Sequence, residues 1–346
     1  MTVTASAPTR VDLAGGTVDI WPLYLFHPGA QTVNAAIGLR AHARLDARDD
    51  HRVELISEDL GVASGPLDPD ALARETTLPL LARLVAAFGV GGVTVTTRSE
   101  APAGAGIAGS SALNIAVTCA LNRWTARGLS DDALLEIAKN VEAQVIGVPT
   151  GLQDYRPALY GGVAALELGV EGALRVALAV DADALDRHLV VCYTGAPRNS
   201  GINNWEMTKR RIDGDPDVVA GFAAIVHATA ALRAALERDD WPAAGAALGD
   251  EWRARMRLAP AVTTPLIDTL IDEAVAAGAW AGKVCGAGGG GCVFCLAPPA
   301  RTDTVRRRWQ AAGATLLDAP VERDGVRVGG DGPHVPASRV DGGRQP

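Results

Sequence analysis

A stretch of small residues, APAGAGIAGSSAL at positions 101–113, combines three glycines with two adjacent serines. Glycines let backbone N–H groups approach an anion closely, and a helix N-terminus adds unpaired donors and a partial positive charge. The two hydroxyls would lie in the first helical turn, where they could cap the helix or bind a phosphate-associated Mg²⁺. On these residues alone, a phosphate-binding loop and a glycine-rich capping turn fit equally well.

The same stretch differs from a flexible linker, because it follows a strand-like segment and runs directly into an apolar helix pattern. It lacks the Gly-Lys-Ser/Thr ending of a P-loop. GAGIAG formally matches GxGxxG, but the flanking βαβ unit and the downstream ribose-binding carboxylate are not evident. The residues therefore indicate a different kind of phosphate loop.

Two further motifs accompany this loop, APTRVDLAGGTVD at residues 7–19 and KVCGAGGGGCVF at residues 283–294. In this order and spacing, the three motifs resemble those of the GHMP kinase superfamily, which is named for galactokinase, homoserine kinase, mevalonate kinase and phosphomevalonate kinase. The resemblance covers about residues 5–298. It implies a two-domain α+β fold in which ATP and the acceptor meet in the cleft between the domains.

The resemblance assigns the ATP phosphates to the loop. The implied phosphate-binding residues are Gly104, Ala105, Gly106, Gly109, Ser110 and Ser111. A serine hydroxyl, that of Ser111, is expected to reach Mg²⁺. Ile107 and Ala108 stand where Leu-Gly is commoner in the family, so we expect altered loop packing without a lost phosphate contact.

The segment EAQVIGVPTGLQD matches an acidic pair of the family. Glu142 would complete the Mg²⁺ shell, since this cation prefers oxygen ligands and keeps several waters. Asp154 would remove or orient the acceptor hydroxyl proton, a role worth about 10²- to 10⁴-fold in rate. A solvent-facing helix residue and a turn former are the plain alternatives, which the accompanying motifs disfavour.

Arg10 occupies a position where relatives carry Lys or Arg. A fixed cation there can stabilise charge on the transferred phosphoryl group and hold Asp154 ionised. The alternative is an ordinary exposed arginine on a strand.

The resemblance also implies an acceptor site. Its expected residues are Asp19, Gly16, Thr17, Gly288, Gly289 and Arg198. Asp19 can accept two hydroxyl hydrogen bonds at once, which favours a polyol or sugar. The GAGGGG run at residues 286–291 would close against the acceptor and phosphates, although a tight hairpin turn would use the same residues. The basic residues 209–211 fit a solvated helix face equally well.

Within the superfamily, LAGGTVD, IWPLY, GLQD and YTGAPRNS resemble the sugar 1-kinase branch, which includes heptose 7-phosphate 1-kinases and fucokinase-like enzymes. Thr17 and Val18 replace the Trp-Thr pair usual there, so the acceptor pocket differs. We expect transfer of the ATP γ-phosphate to a sugar or sugar phosphate, preferably at the anomeric hydroxyl. A mevalonate- or homoserine-type kinase would be favoured by an apolar pocket around Asp19 and Trp21. A non-catalytic ligand sensor is less favoured, because no acidic residue or phosphate loop is lost.

Composition agrees with a small-molecule enzyme. The 346 residues include 32 Lys plus Arg and 40 Asp plus Glu, for a net charge of −8, and the arginines are scattered. Nucleic-acid and membrane partners are therefore not expected. Neither an export signal nor a long uncharged apolar run is evident. We interpret the five cysteines as reduced thiols, and we therefore expect a cytoplasmic protein. The expected partner is the acceptor, and a homodimer is left open.

Residue patterns place the motifs on a strand-rich first part and a helix-rich second part. Strands are expected at residues 2–13, 32–39, 41–47, 51–57, 92–98, 161–168 and 189–193, and a strand–turn–strand at 282–296. Helices are expected at residues 78–88, 111–127, 130–145, 215–258 and 264–278. The expected domains are residues 1–180 and 181–328, followed by a disordered Gly- and Pro-rich tail at 329–346.

Overall fold

The computed structural model describes residues 1–198 and 202–331. The strands in this part of the chain are β1 (Thr2–Ala14), β2 (Gln31–Ala47), β3 (Val53–Ser57), β4 (Val62–Leu67), β5 (Val93–Ser99), β6 (Val163–Gly169), β7 (Gly172–Ala177), β8 (Leu189–Tyr193), β9 (Ala281–Val284), β10 (Cys292–Leu296), β11 (Thr315–Leu316) and β12 (Arg327–Gly330). The α-helices are α1 (Pro79–Phe88), α2 (Gly109–Thr125), α3 (Asp131–Ile146), α4 (Tyr155–Tyr160), α5 (Ala182–His188), α6 (Ile202–Ile212), α7 (Pro216–Leu236), α8 (Trp241–Leu258), α9 (Pro265–Ala276) and α10 (Pro299–Ala311). The expected α+β class is confirmed.

A large sheet in the order β12-β1-β2-β5-β3-β4 forms the first domain, and β6 and β7 extend it from β2. The long β2 pairs with β1 along one edge, and with β6 and then β5 along the other. The two strands expected at 32–39 and 41–47 are therefore one strand. A bulge explains the interrupted pattern, since the register with β1 shifts between Pro8 and Thr9, opposite Gly38 and Leu39.

Helices α1 to α4 cover one face of this sheet. Leu84 and Phe88 of α1 and Ile115 of α2 belong to the same buried cluster as Val95 of β5. Ser130 caps α3, because the backbone N–H of Ala133 donates to the Ser130 hydroxyl. Packing thus places the start of α2 at the edge of the sheet where β5 ends.

The second domain has a four-stranded sheet, β11-β8-β10-β9, with helices α5 to α10 around it. The helical region expected at 215–258 contains two helices, α7 and α8. Asp239 takes a left-handed φ of 55° between them, and the Asp240 side chain caps α8. By length and composition alone α7 could cross a membrane, yet it buries Val218, Phe222 and Leu232 in the domain core, as core helices do.

After β11 the chain returns to the first domain. The backbone of Gly38 donates to Pro320 O at 2.7 Å, that of Glu322 donates to Ala36 O at 2.9 Å, and β12 pairs with β1. The expected second domain, residues 181–328, therefore differs from the structure at its C-terminal end, where the chain from Pro320 onward packs on the first domain. Residues 329–330 are likewise strand rather than tail, and the remainder of the expected tail, 332–346, lies outside the described residues.

Candidate active site

The loop at residues 101–108 joins β5 to α2. Gly104 and Gly106 take φ values of 69° and 79°. A residue with a side chain would be strained in this backbone conformation. Ala108 takes a φ of 59° immediately before α2, where a glycine would be unstrained, and its side chain gives the helix no cap. The first backbone N–H groups of α2 therefore lack a side-chain acceptor, as an anion-binding helix N-terminus requires.

Backbone contacts attach this loop to the second domain. Cys292 N donates to Ala105 O at 2.7 Å, and Arg198 N donates to Gly104 O at 3.0 Å. A Cβ on Gly106 would lie 2.7 Å from Cys285 O. The glycines of two distant motifs thus let two backbones pack directly against each other.

Two serines at the start of α2 face Glu142 at the end of α3. Ser110 Oγ donates to one carboxylate oxygen at 2.9 Å, and Ser111 Oγ donates to the other at 3.0 Å. Burial raises the pKa of Glu142 above its ordinary value, because the charged form loses water. These hard oxygen donors suit Mg²⁺, which needs few protein ligands when phosphates and waters complete its shell. Among the described residues no cluster of three or more His, Cys, Asp or Glu side chains is placed to hold a metal by itself.

Arg10 and Asp154 form an ion pair in the cleft. The guanidinium donates to Asp154 Oδ1 from Nε at 3.0 Å and from Nη2 at 2.6 Å, and its Nη1 donates to Gly106 O. Burial alone would lower the pKa of Arg10, but the carboxylates of Asp154 and Asp12 raise it. Arg10 is thus permanently charged, and it joins the phosphate loop to the partly exposed Asp154.

Asp19 lies buried beside the turn before Asp154. Its Oδ2 accepts backbone N–H bonds from Leu152 at 2.6 Å and Gln153 at 2.9 Å. Burial, followed by the nearby Asp154 charge, raises the pKa of Asp19 to about 6. Gly151 permits this approach, because a Cβ there would lie 2.1 Å from Asp19 Oδ2.

Thr17, two residues before Asp19 in the chain, takes a φ of 75°. This left-handed conformation is costly for a β-branched residue and persists only where the surrounding structure imposes it. Such strain is common at ligand sites, and Thr17 lines the same cavity as Asp19 and Asp154.

These groups surround a cavity of about 340 Å³. The expected site residues that line it are Arg10, Gly16, Thr17, Asp19, Ser111, Glu142, Asp154 and Arg198. An adjoining groove of about 330 Å³ is lined by the expected residues Gly104, Ala105, Gly106, Gly109, Ser110 and Arg198. Its other walls are mainly apolar, with Leu78, Leu81 and Leu113 among them, and Asp59 and Thr77 also line it. Arg198 lies at the junction of the two spaces.

Two expected acceptor residues lie elsewhere. Gly289 N donates to Val262 O, and a Cβ on Gly288 would lie 2.3 Å from Val262. Both glycines therefore pack against Val262 within the second domain, whereas Gly286 and Ala287 line the cavity.

Other lining residues were not anticipated from the sequence. They are Ile20, Ile146, Val148, Pro149, Thr150, Gly151, Gln153, Tyr155, Asn204 and Arg255. The sequence does contain a pattern that could have identified Arg255. This residue lies four positions after Glu251, on a helix face that also buries Trp252 and Leu258. A charged pair on an apolar helix face indicates a buried ion pair.

The arrangement supplies what phosphoryl transfer from a nucleotide to an alcohol requires: unpaired donors for phosphates, oxygen ligands for a divalent cation, and a carboxylate held by a cation beside an acceptor space. The site is therefore that of a phosphotransferase.

Comparison with known proteins agrees with the assignment of a phosphotransferase site. The family models described as "GHMP kinases N terminal domain" and "GHMP kinases C terminal" match residues 75–162 and 232–315. The chain belongs to the GHMP kinase family and is an ATP-dependent phosphotransferase.

Similar proteins include more than one kind of kinase. The D-glycero-alpha-D-manno-heptose 7-phosphate kinase of Campylobacter jejuni is 26% identical over 337 residues, covering 94% of this chain and 98% of that protein. The mevalonate kinase of Thermococcus onnurineus is 26% identical over 349 residues, covering 95% and 98%.

Two solved structures share the fold. A D-glycero-D-manno-heptose 1-phosphate kinase from Bacteroides thetaiotaomicron has a TM-score of 0.76 at 22% identity and covers 95% of this chain and 99% of that chain. A galactokinase from Lactococcus lactis has a TM-score of 0.76 at 20% identity and covers 94% and 95%.

Proposed function

We propose that this protein transfers the γ-phosphoryl group of ATP to the anomeric hydroxyl of a sugar or sugar phosphate. The observation that carries the proposal is the placement of two carboxylates, Asp19 and the Arg10-bound Asp154, on one cavity that adjoins the phosphate loop. One carboxylate can hold acceptor hydroxyls while the other handles the reacting proton.

On the nucleotide side, the N–H groups at the start of α2 bind the phosphates, and the apolar groove beside Leu78 and Leu113 takes the nucleoside. Ser111 and Glu142 would hold Mg²⁺, which supplies positive charge against the phosphates when bound. Arg198, half-buried at the junction, faces the position of the transferred group. These groups orient the phosphoryl donor and neutralise its charge.

On the acceptor side, Asp154 removes or orients the proton of the attacking hydroxyl. Arg10 fixes this carboxylate by two hydrogen bonds. Asp19 accepts hydroxyl donors from the remainder of the acceptor. An acceptor with several hydroxyls satisfies these groups, whereas one with a single hydroxyl leaves buried polar atoms unpaired.

The mevalonate kinases among the relatives make a mevalonate-type acceptor the alternative. An apolar pocket around Asp19 and Trp21 would have favoured it. Instead, polar groups predominate around the cavity, and Trp21 is 66% exposed and does not line it. A sugar acceptor is accordingly preferred.

An ATP-consumption screen over hexoses, heptoses with and without a 7-phosphate, mevalonate and homoserine tests the proposal. We expect turnover with a sugar or sugar phosphate, and ³¹P NMR of the product should show phosphorus coupled to the anomeric proton. Turnover confined to mevalonate or homoserine would overturn the sugar proposal. Nucleotide binding without turnover on any acceptor would favour the non-catalytic sensor.

A further inference from the structure

Charged side chains lie buried where β1 of the first domain meets α8 and β9 of the second. They are Arg10, Asp12, Glu251, Arg255 and Lys283, and each is at most 5% exposed. Together with Asp154 the cluster holds three positive and three negative groups, so its formal charge is zero. A balanced buried cluster of this kind is strongly disturbed when a single member is removed.

Lys283 lies at the centre of the cluster. Its Nζ is 3.6 Å from Asp12 Oδ2 and 3.0 Å from Glu251 Oε2. The other carboxylate oxygen of Glu251 accepts from Arg255 Nη2 at 2.9 Å. Lys283 is 0% exposed and does not line the acceptor cavity. Any effect of Lys283 on catalysis must therefore pass through Asp12 or through Glu251 and Arg255.

The two ends of this chain of contacts hold loops of opposite domains. Asp12, from the first domain, accepts the N–H of Gly286 at 2.9 Å. Arg255, from the second domain, donates to Gly16 O at 2.8 Å and to Gly286 O at 3.2 Å. Gly16 and Gly286 both line the cavity. The cluster thus ties one wall of the acceptor site to the other across the domain junction.

Charge maintains this arrangement. Burial alone would raise the pKa of Asp12, but Lys283, Arg10 and Arg255 lower it below its ordinary value. Asp12 therefore remains a carboxylate that can only accept, as the N–H of Gly286 requires. Arg10 lies 4.0 Å from the same carboxylate and binds Asp154, so the cluster ends at the reacting carboxyl group.

We propose that Lys283 is a positioning residue for phosphoryl transfer, because through Asp12, Glu251 and Arg255 it fixes the Gly16 and Gly286 loops against each other. The kinetic part of this inference rests on the proposed kinase activity. The part that concerns loop order does not, since it can be measured without any acceptor.

The test compares Lys283→Met with Arg40→Met in the full-length protein. Arg40 is also a buried cation in an ion pair that joins distant segments, 3.0 Å from Glu322, but it does not line the cavity. Hydrogen–deuterium exchange of peptides covering residues 15–17 and 285–291 reports loop order. Lys283→Met should accelerate exchange in both peptides, whereas Arg40→Met should lower the melting temperature and leave both unchanged.

Kinetics separate positioning from general damage. In Lys283→Met we expect kcat to fall about tenfold or more, because small misplacements of reacting groups are costly, with the KM for ATP changed less than about threefold. A folded Lys283→Met protein with unchanged loop exchange and kcat would overturn the proposal.

If Lys283→Met does not fold, the double variant Glu251→Gln with Lys283→Met removes one charge of each sign and keeps the cluster neutral. It should fold, with faster exchange in both loops because the chain of contacts that links Asp12 to Arg255 through Lys283 and Glu251 is broken. Exchange equal to that of the unmodified protein would contradict the inference. Failure of the proposed function is recognised separately, as absence of turnover in the unmodified protein.

Discussion

The nucleotide side of the cleft is made largely of backbone, whereas the acceptor side is made of side chains. Gly104, Gly106 and the start of α2 present N–H groups, and across the domain junction Gly104 packs on Pro197 while Gly106 packs on the carbonyl of Cys285. The acceptor cavity is instead lined by Asp19, Asp154 and Arg255, which come from three distant segments. The first side depends on close backbone approach, and the second on the identity and charge of single side chains.

This difference predicts that acceptor-side substitutions change chemistry while nucleotide-side substitutions change ATP binding. The largest effect is expected for Asp154→Asn, which removes the proposed proton acceptor but keeps the shape of the side chain. Turnover should fall at least about 10²-fold with little change in nucleotide affinity. Steady-state kinetics and nucleotide titration measure the two quantities.

The exposed Asp50→Asn is the matched control, since Asp50 pairs only with surface groups. Full activity in Asp154→Asn would remove this residue from the mechanism and leave the acceptor side without its reacting group.

On the nucleotide side, Gly106→Ala adds a Cβ in a left-handed conformation and 2.7 Å from the Cys285 carbonyl. Backbone strain alone costs about 1–2 kcal/mol, and the contact adds to it. We expect the KM for ATP to rise about tenfold, which corresponds to about 1.4 kcal/mol, while kcat at saturating ATP changes less.

Gly313→Ala separates strain from contact. Its φ is 89° and no atom lies within 4 Å of the added Cβ, so it should lose stability and keep its KM. Equal effects of the two variants on ATP binding would show that the close backbone approach at Gly106 is unimportant.

The same contrast explains what the sequence could predict. The phosphate loop was predictable because its glycines and serines are contiguous and precede a helix, and a strand such as β1 shows its alternation locally. Among the described residues, the strands β4, β7, β11 and β12 and the helices α4, α5, α6 and α10 were not predicted. The sequence VASGPL of β4 carries a Gly-Pro pair, which disfavours a strand, and β4 forms by pairing with its hairpin neighbour β3. All four residues of β12 are exposed, so pairing with the distant β1 determines this strand.

The acceptor side was harder because its parts meet only in the folded chain. Asp19 was identified through a motif, but the backbone donors from residues 152–153 that hold it depend on a turn more than a hundred residues away. Arg255 had no motif. The glycine run was predictable as a loop, yet composition could not say that Gly286 faces the cavity while Gly288 packs on Val262.

A smaller effect is expected for Ser111→Ala. Ser111 contributes a side-chain hydroxyl to the nucleotide side, which is otherwise made largely of backbone. Removing the buried hydroxyl takes one oxygen from the position facing Glu142. The Mg²⁺ concentration for half-maximal activity should rise about tenfold. Ser110→Ala, which removes an exposed hydroxyl from the same carboxylate, should have a weaker effect. Identical Mg²⁺ dependence in Ser111→Ala and the unmodified enzyme would contradict the metal assignment.

The mildest prediction concerns Asp19 and pH. Its pKa of about 6 lies above the ordinary carboxyl value because it is buried near Asp154. Its ionised form accepts acceptor hydroxyls, and this form is lost as pH falls through 6, so the acceptor KM should be up to about tenfold higher at pH 5 than above pH 7. Folding responds with the opposite sign, since burying the ionised group is unfavourable: its contribution to stability is greatest below the unfolded pKa and is lost as pH rises through 6. Asp19→Asn should raise the acceptor KM at every pH and abolish this dependence. A pH dependence that survives in Asp19→Asn would assign it to another acceptor-side group.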